Sequence, residues 1–233
     1  MKSFKKLKKI KGDASFRIFY RDCYNSSIIV FSRKEKTKNL LIYDAINKIL
    51  LKNKILAPCL LSHNYSKNYI EIEDFGKETL FKILKKKNVK KKYFIFKEII
   101  KLLNRIQIIK DKRIMNFKKQ SYKIQKYEKK ILFNEAKLFF NWYVLKKLPK
   151  IDCIKFKKKF TKEIKILLSN LSLKNDTFVH RDFHVSNLMY VNKKIGVLDS
   201  QDALIGNRAY DLASLIDDVR LPTSILLKDK IYN

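Results

Sequence analysis

The run FVHRDFHVSNLMYVNKKIGVLDSQDA, residues 178–203, restricts what this chain can fold into more than any other stretch. Its apolar residues fall into short runs, TFV, LMYV and IGVL, too short for helices and rich in β-forming side chains. The polar break NKK between the last two makes them an antiparallel hairpin. Around these strands sit His180, Arg181, Asp182, His184, Asn187, Asp199 and Asp202. The expected structure is a polar loop followed by a hairpin that carries further acids back toward that loop.

The rest of the chain changes character at Gly76. Before it, SFRIFYR (15–21) and SIIVF (27–31) are β-rich runs joined by the turn-like DCYNS. Leu40, Leu41, Ala45, Ile46, Ile49 and Leu50 recur with helical spacing and predict an amphipathic helix over about 37–53. CLLSH and YIEIEDF flank the polar turn NYSKN and predict a second hairpin. From Glu78 to about Ser172 everything reads as helix: one over 93–109, one over 125–148 stopped by Pro149, and one over 156–171. After the 178–203 stretch, AYDLASLIDDVR closes as a helix. The expected fold is α+β and two-lobed, with a small β-rich lobe over 1–76 and a larger helical lobe over 77–233 that carries the polar loop.

A chain of 233 residues with 46% hydrophobic and 12% aromatic content is long and apolar enough to bury real cores. Its formal net charge of +32 invites a polyanionic partner. Only eight of the 54 basic residues are Arg, however, and a surface selected for phosphate usually uses the bidentate guanidinium. Lys spread along the whole chain, with abundant Ile, Asn and Phe, fits a coding bias that fills exposed positions. No specific nucleic-acid partner is expected. Cys23, Cys59 and Cys153 are widely spaced, odd in number and without a CxxC pair, which fits unpaired thiols in a reducing cytoplasm. The basic start MKSFKKLKKIKG lacks the apolar segment of a signal peptide, and no apolar run approaches a membrane span.

Three chemistries compete for the polar stretch. His180 and His184 have the spacing of a zinc-binding HExxH helix, but the Glu is missing and the flanks are strand and loop. The polar side chains could instead satisfy only local backbone groups. The whole spacing favours a third reading. His180-x-Asp182-x4-Asn187 followed by Asp199 on a returning strand matches the catalytic-loop and metal-Asp pattern of phosphoryl-transfer enzymes, H-R-D-x4-N and D-F-G. That reaction needs a carboxylate to accept the attacking hydroxyl's proton and hard oxygen ligands for Mg²⁺. A loop with Asp and Asn close in sequence aims both into one cleft, and the hairpin delivers the second carboxylate opposite.

At HRDFHVSNLM and IGVLDSQDALIGNRAYDLASLIDD the chain resembles the aminoglycoside phosphotransferase/choline kinase superfamily. Within it, the similarity is greatest to bacterial kinases of the anomeric hydroxyl of N-acetylmuramate and N-acetylglucosamine in cell-wall recycling. GDASFR (12–17), EIEDFG (71–76) and NEAKLFFNWYV (134–144) extend the resemblance along most of the chain. It implies a protein-kinase-like fold, ATP and Mg²⁺ as cofactors, and a small sugar as substrate. Asp182 would be the catalytic base and Asn187 and Asp199 the Mg²⁺ ligands. His180 would orient the loop, and Asp211 would hydrogen-bond its backbone. Gly12, Asp13, Ala14 and Ser15 would form the loop over the ATP phosphates, a segment that alone could be an ordinary hairpin turn. Backbone near Glu73 would meet the adenine edge. Asp202 and Glu135 would contact sugar hydroxyls, although Glu135 equally suits a solvated helix position.

Two departures accompany the resemblance. Kinases of this type pair a β3 lysine with a helix glutamate. Here SIIVFSRK offers Phe31 or Ser32 at the lysine's place, with Arg33 and Lys34 just beyond, and the 37–53 helix holds Asp44 but no Glu. The group also continues through further helices beyond YDL, whereas this chain stops at LKDKIYN: it is either a fragment, the product of a truncated gene, or a minimal form. A protein kinase would need a long peptide-docking segment between its metal Asp and helix Asp. Asp199 and Asp211 stand only twelve positions apart. Other readings are an aminoglycoside- or choline-kinase-like enzyme with a different hydroxyl acceptor, and an inactive kinase-like scaffold that binds polyanions.

Overall fold

The structure is a computed structural model that describes residues 7–10, 17–22, 24–171 and 174–232. The GDASF segment, including Gly12, Asp13, Ala14 and Ser15, lies outside the described residues.

The chain opens with strands β1 (Leu7–Ile10), β2 (Arg17–Asp22) and β3 (Ser27–Ser32). Helix α1 (Lys38–Lys52) comes next, then β4 (Leu60–Asn64) and β5 (Tyr69–Glu73). The five strands form one antiparallel sheet in the order β1-β2-β3-β5-β4. The β2–β3 register pairs Arg17 with Ser32 and Phe19 with Val30, so these four side chains share one sheet face. Ile28, Val30, Ile70 and Ile72 on that face pack against Leu40 and Tyr43 of α1.

Further along α1, Ile46, Ile49 and Leu50 belong to a different cluster. They pack into the main core with Leu80 and Leu84 of α2 (Leu80–Lys85) and Phe96, Ile99 and Leu103 of α3 (Val89–Gln107). One helix thus serves both cores. At roughly 1.5–3 kcal/mol for each fully buried aliphatic or aromatic side chain, this shared helix couples the sheet strongly to α2 and α3. The start of α1 is secured by Thr37, whose hydroxyl bonds the Lys34 carbonyl at 2.8 Å and the Asn68 side chain at 2.8 Å.

Between the sheet and α2 the chain turns at Gly76, whose φ of 86° suits only glycine. Residues expected to be uninterrupted helix then include a small hairpin, β6 (Arg113–Met115) and β7 (Ser121–Lys123). Its strands carry few apolar residues, which hides them in the sequence. Next come α4 (Lys129–Phe139), a π-helical turn at Phe140–Val144, the short α5 (Leu145–Lys147) and α6 (Lys150–Asn170). The remaining elements are β8 (Thr177–Val179), the β9 (Leu188–Val191) and β10 (Lys194–Val197) hairpin, β11 (Leu204–Gly206), α7 (Ala209–Ile216) and α8 (Ile225–Tyr232). β11 pairs with β8, which closes the polar loop between two short sheets.

The β9–β10 hairpin meets the first sheet's exit at close range. A Cβ placed on Gly196 would lie 2.6 Å from the Phe75 ring, so glycine is required for that ring to rest on the strand. Leu56 bridges to Gly196 and Thr79 to Met189, tying the connecting segments to the same hairpin. Among the described residues no helix is long and apolar enough to cross a membrane.

Candidate active site

The polar loop comes after β8 and is held from below by Asp211. This carboxylate, fully buried in the first turn of α7, accepts the backbone N–H of His180 at 2.7 Å and of Arg181 at 2.9 Å. Arg181 stands at φ 73°, a conformation unfavourable for a long side chain, and the paired hydrogen bonds fix it there. Burial pushes the Asp211 carboxyl up to about 7, against the two backbone donors that pull it down. His180 is fully buried, with its ring edge-on to Phe183. Its ring nitrogens meet no well-aligned hydrogen-bond partner among the described residues, although the Asp199 charge and the nearby Leu198 backbone favour its charged form. Burial outweighs that influence and lowers its pKa to about 4, so the ring is neutral and acts as a packed support.

Asp182 sits at the loop's tip, partly buried. Burial raises its pKa first, and the charges of Asp199 and Asp202 raise it further, while Arg181 opposes them. Three carboxylates therefore converge on one space. Asn187 closes the loop: its amide donates to the Asp182 carbonyl at 3.0 Å, which leaves its Oδ1 as the acceptor end. Its own backbone carbonyl accepts from Leu198 N–H at 2.9 Å, so Asn187 and Asp199 stand side by side where the hairpin closes. Asp199 takes a left-handed conformation, φ 60° and ψ 40°, which short acidic side chains tolerate.

Across this space reaches a residue that the sequence did not point to. Arg17, on β2, places its guanidinium 2.6 Å from Asp199 and bonds the Gln201 side chain as well. Gln201 in turn donates to Asp202 at 2.7 Å. Ser200 bonds Asn47 of α1, whose amide also holds the Pro58 carbonyl at 2.9 Å. Arg33 and Lys34, the basic candidates at the end of β3, are exposed and lead into a short helical turn. Locally, nothing marks Arg17 as different from its neighbours. The signal was a rare Arg in a Lys-rich chain.

The remaining expected residues fall at the edges. Glu135, on α4, is engaged by two partners: it accepts from the Tyr127 hydroxyl and pairs with Arg181. It thus braces the loop, a role the solvated-helix alternative did not include. Asp202 is exposed next to Arg181. Glu73 ends β5 with its N–H bonded to the Cys59 carbonyl at 3.0 Å, and the Asp74 N–H is taken by the Ser26 carbonyl at 3.2 Å. The backbone donors at the first two positions of that crossing are therefore committed within the sheet. Arg21 clasps Asp74 and the Gly76 carbonyl, which fixes the crossing.

The donor set fits Mg²⁺. Asn187 and Asp199 provide hard oxygens on adjacent positions, and Mg²⁺ commonly takes one or two protein carboxylates with phosphate and water completing its octahedron. Among the described residues no group of three or more His, Cys, Asp or Glu is placed to hold a metal.

The profile of the phosphotransferase enzyme family matches residues 6–230. This chain belongs to that family. A curated relative from Neisseria meningitidis serogroup B, an N-acetylmuramate/N-acetylglucosamine kinase, is 27% identical over 210 residues, covering 89% of this chain and 60% of the relative. A kinase of the same name from Pseudomonas putida is 24% identical over 208 residues, covering 89% and 58%. The chain thus spans about 60% of the length of these relatives. Among solved structures, ADP-bound aminoglycoside phosphotransferase APH(2'')-Ib superposes with a TM-score of 0.68 at 17% identity, covering 97% of this chain and 75% of that one. Choline kinase LicA from Streptococcus pneumoniae gives 0.59 at 11%, covering 97% and 82%. These likenesses establish the kinase-like α+β fold.

Proposed function

We propose that this chain performs ATP-dependent phosphoryl transfer to the anomeric hydroxyl of a small amino sugar, of the N-acetylglucosamine or N-acetylmuramate class. The observation that carries the reading is the convergence of Asp182, Asn187 and Asp199 at the base of the β9–β10 hairpin. The relatives' names support the acceptor class. So does the short path from Asp199 to Asp211, filled by β11 and the start of α7, which leaves no shelf for a peptide.

In this reading ATP lies between a nucleotide-binding lobe ending at residue 76 and the helical lobe beyond it. Asn187 and Asp199 hold Mg²⁺, which when bound screens the charge on the phosphate oxygens. Asp182 accepts the proton of the attacking hydroxyl. Its raised pKa makes it a better base than a free carboxylate, and an anomeric hydroxyl is more acidic than an ordinary alcohol, which narrows the gap between them. Asp211 and His180 keep the loop backbone in place without touching substrate. Asp202, exposed at the rim, is the acid open to sugar hydroxyls, while Glu135 acts through Arg181.

Phosphorus NMR of the product after incubation with each sugar and ATP is the test. A phosphomonoester at C1 is the expected product, with little transfer to aminoglycosides. Asp182→Asn lowers turnover about 10²–10⁴-fold at nearly unchanged ATP affinity. A C6 ester, transfer to aminoglycosides alone, or an Asn variant of near-normal turnover overturns the corresponding part of the proposal.

A further inference from the structure

We infer that Arg17, projecting from β2, grips the α- and β-phosphates of the nucleotide in the place a kinase gives to its β3 lysine. The inference rests on the nucleotide-dependent reading above. Three observations carry it.

On β3 the positions that face α1 are Ile28, Val30 and Ser32, and none is basic. Arg17 pairs with Ser32 across the β2–β3 ladder and therefore occupies the same sheet face one strand further out. From that strand its guanidinium still reaches the Asp199 carboxylate, at 2.6 Å. Its side chain is only 5% exposed, with the guanidinium beside the Phe19 and Tyr43 rings at 5.6 and 6.0 Å, so the reach is fixed before any ligand arrives.

The partner of this cation is also displaced. In a kinase the β3 lysine is held by a glutamate of the helix that α1 corresponds to, but α1 carries no glutamate. Asp44 of α1 pairs with Lys48, and Asn47 bonds Ser200. The helix thus secures the Asp199 segment directly, and Arg17 is held by Asp199 and Gln201 themselves.

Finally, the contact lies where the phosphates must be. Asp199 would be one of the residues holding Mg²⁺, and the ion would there screen the phosphate oxygens. With Arg17 Nη2 at 2.6 Å from the same carboxylate, those oxygens fall within reach of the guanidinium fork.

Titration calorimetry of adenosine, AMP, ADP and ATP with Mg²⁺ tests this on the parent chain, Arg17→Met and Arg17→Lys. The parent should gain affinity with each added phosphate. Arg17→Met should lose about 10–100-fold for ADP and ATP, the scale of a charged hydrogen-bonded contact, and less than about 2-fold for adenosine. Arg17→Lys should fall between. An equal loss for adenosine and ATP marks a purely structural residue, and unchanged ADP and ATP affinity removes Arg17 from the phosphates. Either result overturns the inference while leaving the kinase reading intact. A parent without affinity for any of the four nucleotides instead overturns the kinase reading, and the inference with it. If Arg17→Met fails to fold by circular dichroism, Arg17→Lys decides: a loss of about 5-fold or more confined to ADP and ATP supports the role, and its absence refutes it.

Discussion

The cleft around Asp199 and the α4–α6 limb are built on opposite principles. In the cleft, buried and half-buried polar groups from distant parts of the chain meet in pairs: Arg17 with Asp199, Asn47 with Ser200, and Asp211 with the His180 and Arg181 backbone. Each of these groups lost water on folding and depends on its partner, so removing one leaves the other uncompensated. The limb instead relies on a small cluster of Phe140, Val144 and Cys153, with Phe156 and Phe160 stacked against it. It leaves Trp142 68%, Ile151 69% and Ile154 72% exposed. Glu135, Ile131 and Leu132 of α4 tie the limb to Arg181 and the main core, but the residues of this small cluster are mostly neighbours in sequence and order one another. Cleft substitutions should therefore disturb binding and fold together, and substitutions in the Phe140–Phe160 cluster should disturb little beyond the limb.

The sharpest test of that contrast is Asp199→Ala. Losing the carboxylate that pairs with Arg17 and is assigned to the proposed metal site should weaken Mg²⁺-dependent ATP binding more than about 100-fold, while variants in the Phe140–Phe160 cluster leave it unchanged. Calorimetry with and without Mg²⁺ measures it. Parity between Asp199→Ala and parent at saturating Mg²⁺ would place the metal site elsewhere.

A second test compares cores. Phe96→Ala, at a fully buried ring of the main cluster, should cost about 3–5 kcal/mol in urea unfolding. Phe156→Ala in the limb should cost about 1–2 kcal/mol, because a half-buried ring gives up less transfer free energy. Trp142→Ala should stay within about 0.5 kcal/mol of the parent. Equal costs at Phe96 and Phe156 would show that the limb is as tightly coupled as the core.

An effect of comparable size is a pH dependence confined to the cleft. The folded-state pKa of His180 is about 4, below its ordinary 6.5, so between those values the unfolded chain binds a proton that the folded chain refuses. The stability from neutral His180 is thus complete above pH 6.5 and lost as pH falls toward 4. Asp211 works the other way: its folded pKa of about 7 lies above its ordinary 3.8, so its contribution grows as pH falls from 7. The parent should therefore respond only mildly to acid at these two sites. Relative to the parent, His180→Gln should gain about 2 kcal/mol between pH 7 and 4.5 as the His penalty disappears. A variant that tracks the parent across that range would mean His180 is not desolvated.

Legibility in the sequence obeys the same division between local and distant contacts. β2, β3, α1 and the β9–β10 hairpin are legible because each carries a local period of its own, and the 178–203 spacing is legible because one loop holds it. β1 and the β6–β7 hairpin are not, since Lys8, Lys9, Arg113 and Lys123 mask the alternation that marks a strand. Pro149 correctly stops a helix, but the π-helical turn at Phe140–Val144 has no sequence mark of its own. In the sequence the basic group that replaces the β3 lysine stays unidentified, with Arg33 and Lys34 just beyond the usual position. It comes from Arg17, because register across a sheet sets which side chains share a face.

The Arg17–Asp199 pair also sets a clock on synthesis. The two residues are separated by 182 positions, and at about 5–20 residues per second a ribosome needs roughly 10–40 s to pass from one to the other. Through that interval the first sheet has emerged while its guanidinium still waits for the carboxylate it will face. The sheet can assemble early, since its strands lie close together in the chain. The cleft cannot exist until Asp199 has been made, so it closes long after the sheet that supplies its arginine.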